Sequence, residues 1–222
     1  MISALGEVLG YAVGIAVSPI PIAAVILMLF STRARSNSVA FMVAWVLGIA
    51  VVTTVVLLIP GLEASDSEPS DATGWIKAVV GVSLVLLAVR QWKARPKPGD
   101  EPQTPAWMGK IDTMKFATAF GLGFLLSAVN PKNLLLAAAA GATIGSLEMS
   151  TTETATTVIV FTLVAAATVV IPVVGYLIAG DRLDGPLDTT KTWLIDNNST
   201  VMAVLLLVFG AVLLGDAIKI LA

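Results

Sequence analysis

Long, unbroken apolar runs separated by short polar breaks dominate this chain. Six runs approach the roughly 20 residues a helix needs to cross about 30 Å of hydrocarbon. They cover Leu5–Phe30, Val39–Ile59, Trp75–Val89, Phe116–Ile144, Thr156–Ile178 and Val201–Ile220, the third extendable to Trp92. A membrane β-barrel would instead show short strands of alternating polarity. The pattern therefore predicts an all-α membrane protein with six transmembrane helices.

The polar breaks alternate in charge. The first carries Arg33 and Arg35. The second has Glu63, Asp66, Glu68 and Asp71 without a base. The third holds Arg90, Lys93, Arg95, Lys97, Lys110 and Lys115. Glu148 and Glu153 mark the fourth, and Arg182 and Lys191 lie among aspartates in the fifth. Positive residues favour the cytoplasmic side, which predicts loops one, three and five inside and both termini outside. The start of the chain, MISALGEVLGYAVG, has no basic leader region and carries Glu7, so it is read as a retained part of the first span rather than a secretory signal. The third connection, Pro-rich and charged, predicts a mobile linker. Its end, PAWMGKIDTMK, is either a solvated loop anchored by Trp107 or a short interfacial segment.

Two of the six runs are interrupted where an apolar helix should be smoothest. The first contains GIAVSPIPIAAVILM and the fourth SAVNPKNLLLAAAAG. Proline removes a backbone donor and pushes away the carbonyl one turn earlier. Inside lipid, the freed groups need protein or a wet cavity around them. Superposing Pro19 on Pro131 places Ser18 against Asn130, Ile20 against Lys132 and Pro21 against Asn133. Spans three and six also match: GVSLVLLAVRQW from Gly81 parallels GAVLLGDAIKIL from Gly210. The chain reads as two three-helix units, residues 1–92 and 116–222, joined by a cytoplasmic linker at 93–115. An odd number of spans per unit makes the repeats inverted, a plan common among secondary transporters, with broken helices 1 and 4 at its centre.

Composition narrows the function. The chain of 222 residues is 57% hydrophobic and 13% charged, and its formal net charge is -2. No basic block suggests a nucleic-acid partner. Cysteine and histidine are both absent, which removes disulfides, Cys/His metal sites and a histidine base. No catalytic constellation or phosphate-binding glycine loop is present, so the expectation is no enzyme, no cofactor and no bound metal.

Lys132 is the most demanding residue. An ammonium near mid-membrane costs about 3 kcal/mol or more. Three accounts remain open. It snorkels to an interface; it pairs with an acid, for which Glu7 and Asp216 are the candidates; or it faces a hydrated cavity and attracts an anion. In the third account, the half-helices after Pro21 and after Pro131 aim their amides at the breaks, Pro19 belongs to the first break, and Asn130, Asn133 and Ser18 add hydrogen bonds. Thr53 and Thr54 are neighbours to consider. Glu7 and Asp216 are also the only acids placed to couple transport to an ion. Gly6, Gly10, Gly14 and Ser18 line one face of span one, and Ala137, Gly141 and Gly145 one face of span four. Such faces let helices approach closely within or between chains, which is compatible with a homodimer.

Six spans, SPIP in span one and NPKN in span four resemble the LysE superfamily of small exporters. Within it, the whole chain is most similar to the GAP group, the peptidoglycolipid- or sulfolipid-addressing proteins of actinobacteria. Ile20 stands where amino-acid exporters typically carry the glycine of Pro-Gly-Pro, and no mid-span carboxylate matches the metal-handling relatives. The resemblance implies a bacterial plasma-membrane protein that helps move an amphipathic, often sulfated or phosphorylated, envelope glycolipid or lipid-linked molecule outward. Its partners would be membrane lipids and that anionic cargo. The alternatives are export of a small polar solute such as an amino acid, and a membrane scaffold with no cargo.

Overall fold

At Ser18 and Asn130 the backbone leaves the helical region for the same reason. Each precedes a proline, whose ring disfavours helical geometry in the residue before it. Ser18 adopts φ -114°, ψ 101° and Asn130 φ -59°, ψ 120°. Proline then opens the next helix, where its missing N–H and fixed φ are no handicap. A computed structural model describes residues 2–59, 71–95 and 108–222. It resolves each interrupted run into two helices, bent by 56° at Ser18 and 60° at Asn130.

The described chain is helical. Its elements are α1 (Ile2–Ala16), α2 (Pro19–Leu29), α3 (Ala34–Leu57), α4 (Asp71–Lys93), α5 (Phe116–Phe124), α6 (Pro131–Gly145), α7 (Thr151–Ala179) and α8 (Asp184–Leu221). Among the described residues, α3, α7 and the Ser199–Leu221 part of α8 are long and apolar enough to cross a membrane. Counting each bent pair as one span raises the number to five. The third expected span falls within α4. Much of the acidic second connection, most of the Pro-rich linker and its Trp107 lie outside the described residues.

Two connections take helical structure. A 3-10 turn at Met108–Thr113 precedes α5, with Ile111 and Met114 buried; Asn37 Nδ2 donates to Met114 O at 2.9 Å. The fifth connection shrinks to Gly180–Leu183, and α8 begins 17 residues before the expected span at Val201. The stop is local: Gly180 takes φ 57°, the positive value that glycine tolerates at a helix end, and Pro186 falls in the first turn of α8. α7 starts on a capping box, in which Ser150 and Glu153 exchange side-chain and backbone bonds.

The chain forms two compact units, one from residues 1–65 and 104–192, the other from 66–103 and 193–222. In the first, α2 is buried nearly all round, and α3 and α7 each bury one stripe around Phe41, Trp45, Phe161 and Val169. The approach is tight where small residues meet. A methyl on Gly48 would overlap Ser127 Oγ, and one on Gly141 would overlap the carbonyl oxygen of Thr53. The packing expected of the glycine face in span one holds at its lower end only. Gly14 and Ser18 are buried, whereas added carbons at Gly6 and Gly10 would meet open space.

In the second unit, α4 and α8 run antiparallel. An added carbon at Gly74 meets Leu221, one at Gly81 meets Leu214 and the Gly210 carbonyl, and one at Gly210 meets Val85 and the Gly81 carbonyl. The contact is reciprocal: each glycine packs on the aliphatic residue four positions beyond the other.

Candidate functional site

Breaking α1 from α2 strands four carbonyls, those of Gly14, Ile15, Ala16 and Val17. Two of their usual donors are gone because Pro19 and Pro21 have no N–H. A third, the Ser18 amide, bends back to Ala16 O at 2.9 Å. In an apolar interior each orphan acceptor is costly. The structure satisfies all four. Lys132 Nζ donates to Gly14 O at 2.8 Å and to Val17 O at 3.4 Å. Ser18 Oγ donates to Ile15 O at 2.7 Å. Thr168 Oγ1, from α7, donates to Ala16 O at 2.6 Å.

Lys132 thus reaches across from the start of α6 into the other break. Its third acceptor is Ser18 Oγ at 2.8 Å, so the three N–H bonds of the ammonium all point at protein oxygens. The charge lies at the carbonyl end of α1, where the helix dipole favours a cation. None of the three accounts weighed from the sequence named these acceptors: in this conformation the lysine serves the break itself.

The second break is closed by shorter reach. Leu125–Val129 forms a π turn, in which the Asn130 amide bonds five residues back to Leu125 O at 3.0 Å. That leaves Leu126 O, which accepts from Asn133 Nδ2 at 2.9 Å. Asn133 Oδ1 lies 3.3 Å from Ser18 Oγ, a second acceptor across the breaks to which the hydroxyl can turn its one proton in place of Ile15 O. Asn130 Oδ1 caps α6 through the Lys132 amide at 3.1 Å.

Of the residues singled out, Ser18, Pro19, Pro21 and Asn133 are buried, Asn130 and Lys132 half-buried, and Pro131 exposed. The structure brings Ser18, Lys132 and Asn133 into one bonded cluster, with Asn130 capping beside it. Glu7 is exposed on α1; the side chain of Asp216, on α8, lies outside the description. Thr53 packs against Gly141, nine residues along α6 from Lys132, about 13 Å of helix rise. The sequence reading places Gly14 only on a packing face and does not single out Thr168. A carbonyl acceptor has no sequence signal, and Thr168 resembles every other threonine in an apolar helix.

Apolar helices, two of them broken, with a polar cluster joining the breaks, define a multi-helix membrane protein. A family model described as Sap, sulfolipid-1-addressing protein, matches residues 8–219. The match covers nearly the whole chain, and the chain belongs to this family. No curated protein and no solved structure matches it.

Proposed function

We propose that the protein exports, or helps to export, an amphipathic anionic lipid of the cell envelope: a glycolipid or lipid-linked molecule bearing sulfate or phosphate. The observation that carries this reading is the ammonium of Lys132 inside the break of the partner helix pair, together with membership of a sulfolipid-addressing family. In this conformation the three donors of the ammonium are taken by Gly14 O, Val17 O and Ser18 Oγ, so a bound anion would displace at least one of them. Cargo binding then frees the α1–α2 break, and recognition and helix rearrangement become one event.

The frame of this reading is six spans in two inverted three-helix repeats, as the resemblance to the LysE superfamily implies, in a bacterial plasma membrane, with the loop charges placing both termini outside. The antiparallel, reciprocal packing of Gly81 with Gly210, the pair matched by the repeat, supports it. Rocking of one repeat against the other would give alternating access.

Mass spectrometry of lipids retained by the purified protein tests the reading directly. An anionic amphiphile should be enriched over the bulk membrane, and Lys132→Ala should lose it while Lys132→Arg keeps part of it. Equal retention in wild type and both variants would remove Lys132 from cargo binding.

A further inference from the structure

The unit formed by α4 and the later part of α8 carries an apolar groove away from its closest helix contact. The two helices touch closely at Gly81 and Gly210, and beyond that contact a gap lies along them toward the C-terminal end of α4. The gap is a groove of about 450 Å³, lined by Ala88, Val89, Trp92, Lys93, Ala203, Val204 and Leu207. Its floor is small: Ala88 and Ala203 are 3% and 4% exposed. Val89, Val204 and Leu207 form its walls, each exposed by 45–50%. Apart from the Lys93 ammonium and the indole N–H of Trp92 the lining is hydrocarbon, a poor match for a polar solute.

The ammonium gives the groove a direction. Lys93 stands at the end where α4 stops, and the next turn carries Arg95, whose guanidinium lies 4.1 Å from the centre of the Trp92 ring. The stacking holds that cation beside the mouth. Arg90, one turn earlier, adds a third positive charge on the same stretch of helix. Tryptophan and basic residues together mark the headgroup level of a bilayer. The nearest acid preceding Ala203 on α8 is Asp196, separated from it by about 10 Å of helix rise. An apolar slot long enough for part of an acyl chain therefore ends under a cluster of cations.

We infer that this groove holds one acyl chain of an anionic membrane phospholipid, whose phosphate sits between Lys93 and Arg95. The charge complementarity selects the headgroup, and the slot holds the chain in place. Occupancy fills the space between α4 and α8 and fixes their separation at that end. The site is separate from the cluster at the breaks and stands whatever cargo the breaks bind.

The test is native mass spectrometry of the full-length protein, delipidated in detergent and titrated with phosphatidylglycerol or phosphatidylcholine of the same acyl chains. One phosphatidylglycerol should bind with roughly thirty-fold preference, equivalent to about 2 kcal/mol from two basic side chains near a membrane surface. K93Q/R95Q should erase that preference. Val204→Trp fills the slot from an exposed wall position and should remove the bound lipid. Thermal unfolding establishes that both variants remain folded, and Lys132→Ala should leave this binding unchanged. Equal binding of the two lipids, or a preference that survives both variants, would overturn the site. Loss of the preference in Lys132→Ala with its retention in K93Q/R95Q would assign it to the breaks instead.

Discussion

The Nζ of Lys132 lies 2.8 Å from the carbonyl oxygen of Gly14, a residue 118 positions earlier in the chain. A lysine of the fourth interrupted segment thereby completes the hydrogen bonding of the first. The pairing makes the two breaks interdependent: neither can move without releasing donors or acceptors in the other.

Removing the ammonium should destabilise the fold before it affects anything else. Lys132→Met keeps the stem and leaves Gly14 O and Val17 O without their donor. Hydrogen bonds to charged groups contribute about 1.5–3 kcal/mol, which in a chain of this size lowers Tm by roughly 3–12 °C. Scanning fluorimetry in detergent measures it. An unchanged Tm would mean that water replaces the amine.

Thr168→Val removes the hydroxyl that serves Ala16 O and keeps the shape. The expected loss is about 0.6–1 kcal/mol, the scale of hydrogen bonds between membrane helices. Thr168→Ser restores the donor and should recover most of it. If serine and valine behave alike, the methyl packing rather than the hydrogen bond holds this contact.

Pro19→Ala returns an amide that competes with Ser18 Oγ for Ile15 O. The α1–α2 bend of 56° should open toward a straighter rod. The chain has no cysteine, so spin labels at Leu9→Cys and Leu27→Cys report one distance. That distance should lengthen in the variant and shorten again when proline is restored.

Gly48→Ala places a methyl on top of Ser127 Oγ. Overpacking of this kind costs about 1–3 kcal/mol. Ser127→Ala in the same chain removes the offending oxygen and should recover part of the stability, leaving the residual contact with the Cβ of residue 127. A double variant no better than Gly48→Ala alone would place the strain elsewhere.

The breaks were legible because a proline constrains its own residue and the one before it, whatever the tertiary context. Pro172 shows the limit of that signal: it lies inside α7, which continues through it. A single proline does not separate a kink from a break, whereas Pro19 with Pro21, and Pro131 between two asparagines, did. The destination of Lys132 was not legible. The sequence places it at the start of α6, where the amides suggest an anion, yet its four-carbon stem carries the charge to the opposite end of a different helix. The early start of α8 was hidden for another reason. Residues 184–200 are polar, and a helix of such composition leaves no apolar run to read.

The mirrored fit of Gly81 on Leu214 and Gly210 on Val85 has a bearing on protein engineering. Each of the two helices displays a small residue followed one turn later by a branched aliphatic. A polypeptide carrying only one of them would offer a copy of itself the same seat, provided the two copies entered the bilayer facing opposite ways. If the proposed inverted repeats hold, splitting this chain within residues 93–115 would give a minimal dual-topology dimer.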